Sequence, residues 1–211
     1  MKLIIMGPPG SGKGTHAKRL AAKLGILHIS TGDLFRQIAK EDSEKGRRTR
    51  DLLNSGALFP DDFMLQILMI RLDKPDAGNE FILDGFPRTA NQAKLLDERT
   101  RIDKAIYLKV SDVECLRRLA ERKICSGCGA IYGNENPPKR EGKCDACGGE
   151  LHVREDDREE AIMKRLRLYH EQTEPILDFY RDRRLLIEVE VRGIRQPEQV
   201  FKDVCDALGI E

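Results

Sequence analysis

Short apolar runs alternate along the chain with longer stretches in which apolar residues recur at helical spacing. "KLIIM" (2–6), "LHIS" (27–30), "FILD" (81–84), "AIYLKV" (105–110) and "LLIEVEV" (185–191) are rich in aliphatic and β-branched residues, the pattern of strands buried on both faces. Helical periodicity predicts helices at about 13–24, 31–53, 61–73, 89–99, 112–122, 157–181 and 197–208. Strands alternating with helices predict an α/β protein: a parallel sheet with helices on both faces. Two segments break the rhythm. Residues 31–60 put helices, with no strand, between the second and third strands, and residues 123–153 are rich in Gly, Pro and Cys with little helical periodicity. Both read as insertions.

Composition narrows the picture. A chain of 211 residues supports one substantial core with insertions rather than two independent enzyme domains. Lys and Arg number 37 against 36 Asp and Glu, a formal net charge of +1, so any anion binding is local and no basic excess points to nucleic acid or an anionic membrane. The apolar stretch after Lys2 is too short for a signal peptide, and no run approaches membrane-spanning length. The expected location is the cytoplasm, where the six cysteines serve as thiols or metal ligands rather than structural disulfides.

Candidate chemistry begins at the first strand, which runs into "GPPGSGKGT" (7–15) and then an amphipathic helix. That is the context of a phosphate-binding loop, whose glycines let backbone N–H groups face phosphate oxygens at a helix N-terminus. Gly7, Gly10, Gly12 and Gly14 allow the approach and Lys13 supplies charge; the hydroxyl that usually follows the lysine arrives one residue late, as Thr15. Asp84 ends an apolar strand where an acidic residue would reach a nucleotide's magnesium, or it could cap the helix that follows. Arg36, Arg88, Arg118, Arg122, Arg154 and Arg165 lie near element ends or glycine breaks. Singly each reads as a solvated helix face; beside a phosphate loop they suggest a clamp on several phosphates.

Cys125-x2-Cys128 and Cys144-x2-Cys147, 15 residues apart, fit two knuckles closing on one tetrahedral metal, zinc by preference. Four thiolates would leave no open position, so the metal is structural; an iron centre or a redox-active thiol pair is the alternative. Cys115 and Cys205 read as buried helical residues. His16, His28, His152 and His170 have no nucleophile or carboxylate partner at a recognisable spacing and read as surface or packing residues.

Taken together, "GPPGSGKGT" (7–15), "STGDLFR" (30–36), "DGFPRTANQ" (84–92), "ERKICSGCG" (121–129), "NPPK" (136–139) and "REDDREEAIMKRL" (154–166) resemble the bacterial adenylate kinases of the long type, with a lid insertion. The resemblance covers essentially the whole chain. It implies a five-stranded parallel sheet core of residues 1–29, 60–120 and 159–211, an AMP-binding insertion at 30–59 and a lid at 121–158. It implies reversible, magnesium-dependent transfer between ATP and AMP to give two ADP, by a monomer with no nucleic-acid or membrane partner.

The same resemblance distributes roles. Lys13 would hold the β- and γ-phosphates, with Gly10, Ser11, Gly12, Gly14 and Thr15 around them. Arg36 and Arg88 would grip the AMP phosphate; Arg118, Arg122, Arg154 and Arg165 would surround the phosphoryl group in flight and the ATP tail. Asp84 would orient magnesium. Thr31, Ala57, Leu58, Phe59, Gly85 and Gln92 match positions around AMP, and Ile131, Tyr132 and Gly193 positions around ATP. Asp156 and Asp157 match positions that lock a closed lid, or they complement the dipole of the helix that follows. Kinases of UMP, CMP or GMP share this outline, and a zinc-ribbon nucleic-acid-binding ATPase is the more distant alternative, opposed by 5% aromatics with no tryptophan.

Overall fold

A computed structural model describes residues 1–77, 80–193 and 195–210. The chain runs β1 (Lys2–Met6), α1 (Lys13–Leu24), β2 (Leu27–Ser30), α2 (Thr31–Ile38), α3 (Glu44–Asn54), α4 (Asp61–Leu72), β3 (Phe81–Asp84), α5 (Ala90–Arg99), β4 (Lys104–Lys109) and α6 (Asp112–Ala120). It continues through β5 (Lys123–Cys125), β6 (Ile131–Tyr132), β7 (Leu151–His152), α7 (Glu159–Leu168), α8 (Ile176–Asp182), β8 (Leu186–Glu190) and α9 (Pro197–Leu208).

Five strands form one sheet in the order β2-β3-β1-β4-β8, all neighbours parallel. Alternation along each strand sends side chains to two separate apolar layers. Ile4 and Met6 join Phe35, Leu68, Leu96 and Tyr180 on one face, while Leu3 and Ile5 join Leu20, Leu119, Leu166 and Val204 on the other. Both faces are covered, which is why the strands read as continuous apolar runs. The chain passes from β1 to one side of the sheet and later to the other, so a crevice opens beyond the carboxyl ends of β1, β3 and β4, the usual ligand position in such sheets.

Two expected helices are divided. The stretch 31–53 breaks after Ile38 because Gly46 packs against the end of α2, where an added Cβ would lie 2.2 Å from the Glu41 carbonyl, and because the Ser43 hydroxyl caps α3 by accepting from Gly46 N at 3.0 Å. The stretch 157–181 becomes a 3₁₀ turn at Glu155–Asp157, α7, a π-helical turn at Tyr169–Thr173 and α8. Pro175 cannot donate a helical hydrogen bond, and Glu174 N instead reaches back five residues to Tyr169 O at 2.8 Å.

Residues 123–152 form a separate three-stranded antiparallel sheet, β6-β5-β7. Its buried cluster is only Cys125, Tyr132 and Cys144, flanked by Ala130 and Leu151. Among the described residues no helix is long and apolar enough to cross a membrane.

Candidate functional site

The loop between β1 and α1 is built for close approach. Gly7, Gly10 and Gly12 have φ of 151°, 89° and 87°, which side chains rarely adopt. A Cβ on Gly7 would lie 2.9 Å from Leu108 O, and one on Gly10 would lie 2.7 Å from Cys115 O. Gly12 caps α1 without any side-chain acceptor and the first turn carries no acidic residue, so no side chain of the first turn competes with an external anion for its N–H groups. Ser11 is fully buried. Thr15 follows Lys13 and Gly14 in the first turn of α1.

Strand register places Asp84 beside this loop, because β3 pairs with β1 through Ile5↔Asp84. Its Oδ2 would lie 3.1 Å from a Cβ on Gly14 and is 3.6 Å from His28 Nε2. Asp84 does not cap the helix after it: Thr89 does, accepting from Gln92 N at 3.1 Å. The carboxylate is thereby left to face the loop, a hard oxygen donor of the kind magnesium takes. Lys13 extends over the same space, donating to Pro8 O at 3.2 Å. Burial lowers its pKa to about 8, with Asp84 opposing and Arg88 and Arg165 adding to the fall.

One cavity gathers Lys13, Arg36, Ala57, Leu58, Phe59, Gly85, Arg88, Gln92, Arg154 and Arg165 around its wall. Phe59 stacks on Phe35 with ring centroids 3.9 Å apart. Gly85, at φ 82°, brings its carbonyl to Thr31 Oγ1 at 2.9 Å and to Arg88 Nε at 2.7 Å. Arg88 N–H in turn donates to Gln92 Oε1 at 2.8 Å. Burial holds the Arg88 guanidinium below its ordinary range, with Asp84 opposing; such a desolvated cation strongly favours an anionic partner.

Carboxylates hold the other arginines. Arg36 pairs with Asp33 and Arg118 Nε donates to Glu114 Oε1 at 2.7 Å. Arg154 forks onto Asp156 at 2.8 and 2.7 Å. Arg122 and Arg165 share Asp157, whose side chain is wholly buried. Burial lowers Arg122 to about 10, helped by Arg154. Asp156 and Asp157 lie in the 3₁₀ turn just ahead of α7, and their side chains meet these guanidiniums. Sequence reasoning missed Asp33 and Glu114, although Asp33 to Arg36 and Glu114 to Arg118 have the spacing of neighbours on a helix face.

The remaining expected residues stand apart from the cavity wall. Gly10, Ser11, Gly12, Gly14 and Thr15 belong to the loop and first turn of α1 beside Lys13, Asp84 ends β3, and Arg118 and Arg122 lie at the end of α6 and just beyond it. In the small sheet Ile131 is 38% exposed, and Tyr132 is buried with its hydroxyl donating to Cys144 Sγ and accepting from Asp145 N. Gly193 follows β8 at φ 66° with open space around it.

Cys125, Cys128, Cys144 and Cys147 put their sulfurs within 4.8 Å of one another, with Cys125–Cys147 at 3.4 Å and Cys128–Cys144 at 3.5 Å. Zinc–sulfur bonds of about 2.3 Å in a tetrahedron require sulfur separations of about 3.7 Å, so the group fits one ion. The Tyr132 hydroxyl is the main cause that holds Cys144 down to about 6, and Gly127 N–H donates to Cys125 Sγ at 3.3 Å; both favour thiolates. The Gly149 N–H also favours the Cys147 thiolate, but its cysteine neighbours outweigh it and push that thiol up to about 12. A divalent ion would resolve that crowding of thiols.

Two of the histidines fill the packing and surface roles expected of them. His16 is buried against Phe201, and His170 bridges Glu174 and Asp112.

A phosphate loop after β1, an acidic end to β3 and arginines converging from both insertions define the P-loop nucleoside monophosphate kinases. Within that class, the family described as Adenylate kinase matches residues 5–185. The chain is 46% identical to an "Adenylate kinase" of Thermosipho africanus over 99% of both chains and 44% identical to one of Caldicellulosiruptor bescii over 100% of both. It is 43% identical to one of Archaeoglobus fulgidus over 97% of this chain and 96% of that protein. The chain belongs to the adenylate kinase family.

Proposed function

We propose that this chain catalyses reversible transfer of the γ-phosphoryl group of ATP to AMP, giving two ADP. The convergence of Lys13, Arg36, Arg88, Arg154 and Arg165 on one cavity carries the reading. An AMP phosphate is largely dianionic at neutral pH, its second pKa being about 6, so its oxygen attacks without a general base. Catalysis then consists of alignment and neutralisation of spread negative charge.

Arg88 and Arg36 hold AMP against the Thr31 and Gly85 wall. The α1 N-terminus and Lys13 hold the phosphates of ATP, and Arg118, Arg122, Arg154 and Arg165 close on the group in transit. Magnesium bound with ATP would neutralise phosphate charge, held by Asp84 and Thr15. The reading divides the chain into a core (1–29, 60–120, 159–211), an AMP-binding insertion (30–59) and a lid (121–158) whose closure carries Arg122 and Arg154 and excludes water. Zinc on the four cysteines would cross-link that lid in place of an apolar core. The enzyme acts as a cytoplasmic monomer on free nucleotides; a formal net charge of +1 offers no basic excess for nucleic acid.

Turnover of AMP, UMP, CMP and GMP with ATP tests the assignment. AMP is expected to exceed the others by about 100-fold or more in kcat/KM. Preference for another monophosphate would reassign the substrate, and ATP hydrolysis without acceptor would overturn the kinase reading.

A further inference from the structure

Gln92 is 1% exposed, yet it lines the cavity and its amide is held from both ends. Nε2 donates to Asp61 Oδ1 at 2.7 Å, and Oε1 accepts from Arg88 N–H at 2.8 Å. The Asp61 carboxylate is itself fixed, since Oδ2 accepts from Thr89 Oγ1 at 2.9 Å and Asn91 Nδ2 at 3.0 Å. Asp61 opens α4 and its three donors open α5, so one carboxylate ties the two helix starts together.

A flipped amide would set Oε1 against a carboxylate oxygen and Nε2 against a backbone N–H, two repulsive contacts. One amide orientation is therefore enforced. Each amide end is left with one free valence: an N–H on Nε2 and a lone pair on Oε1. Adenine offers N1 as acceptor and the 6-amino group as donor along one edge. A 6-oxopurine offers N1–H and O6, the reverse order. A freely rotating amide would match either base by turning over; a fixed one matches only the first.

We propose that Asp61 is a positioning residue that fixes the Gln92 amide and so selects a 6-aminopurine monophosphate over a 6-oxopurine monophosphate. The inference rests on the reading of this cavity as the monophosphate site.

The wild-type enzyme gives the first test, with ATP as donor and AMP, IMP or purine ribonucleoside monophosphate as acceptor. The last keeps the N1 acceptor and has hydrogen at position 6. A fixed amide ranks them AMP, then purine, then IMP, with AMP over IMP by about 100-fold or more. IMP equal to or better than the purine analogue would show a rotating amide and overturn the proposal.

Asp61→Asn, nearly isosteric, replaces one acceptor oxygen with a donor, and Asp61→Ala removes both. Either is expected to narrow the AMP to IMP ratio of kcat/KM by about tenfold while leaving the ratio of AMP to 2′-deoxy-AMP unchanged, because the base is common to that pair. A purely structural loss would lower all acceptors together and overturn the proposal. Gln92→Leu separates the two readings. If it collapses the AMP to IMP ratio and the Asp61 variants do not, Asp61 has no positioning role. If it leaves the ratio intact, the base does not lie at Gln92 and the monophosphate-site reading itself fails.

Discussion

Asp157 stands between two half-buried arginines, accepting from Arg122 Nε at 2.7 Å and from Arg165 Nη1 at 3.2 Å, with its own side chain fully enclosed. Burial lowers the pKa of both guanidiniums. Asp157→Asn leaves those charges without their shared counterion, and truncating one partner of a buried pair costs about 3 kcal/mol or more. The free protein is expected to melt several degrees lower, and saturating ADP should restore a larger part of the melting temperature than it adds to wild type. Unchanged melting would show that Asp156 alone neutralises the pair.

Among the described residues the Lys13 side chain bonds only to Pro8 O, so Lys13→Met is expected to keep the fold and lose turnover by about 100-fold or more, the effect of stripping one preorganised charge from developing phosphate charge. The wild-type side chain has a pKa of about 8, lowered first by burial. It therefore loses charge in the free enzyme as pH rises above 8, and KM for ATP is expected to climb there. Turnover of the variant within threefold of wild type would remove Lys13 from the chemistry.

His16 is buried beside Phe201, and its pKa falls from 6.5 to about 4, first by burial and then by Arg19. The unfolded chain binds the proton first, so this contribution to stability is complete above pH 6.5 and disappears as pH falls from 6.5 to 4. The loss is on the order of 3 kcal/mol. His170 has the opposite sign: its pKa is raised, first by Glu174, so its contribution is full below pH 6.5 and fades as pH rises. Urea unfolding from pH 4 to 7 should show His16→Gln with a flatter acid limb than wild type; an identical slope would assign the acid sensitivity to the carboxylates.

Residue pattern reached furthest where one local cause decides the outcome. The five core strands were legible because the central ones, β1, β3 and β4, are buried almost throughout and the edge strands keep aliphatic runs, and the phosphate loop because its glycines and lysine fall within eight residues. The break between α2 and α3 was not, since it depends on Gly46 packing against the Glu41 carbonyl five residues back, a backbone contact that apolar periodicity does not register. The arginines stood out by position, but the shared partner of Arg122 and Arg165 did not, because Asp157 meets Arg122 from 35 residues away. The link from Asp61 to Gln92 spans 31 residues and has no periodic signature at all.

The small sheet tests the metal directly. Its buried cluster is three residues, two of them cysteines, far too little apolar area to order some thirty residues against their conformational entropy. If Cys125, Cys128, Cys144 and Cys147 hold zinc, elemental analysis is expected to find about one zinc per chain. Chelation should then free the amides of 123–152 to exchange hydrogen before those of the five-stranded sheet, whose two apolar layers are untouched. Magnesium should not restore the protection, because hard cations bind thiolates poorly. Activity at low temperature should partly survive, since a four-thiolate site leaves no open position for substrate. Stripped protein that keeps its exchange pattern would show that the cluster stands without metal. Stripped protein that stays folded but is wholly inactive would move the metal from the lid's framework into the reaction.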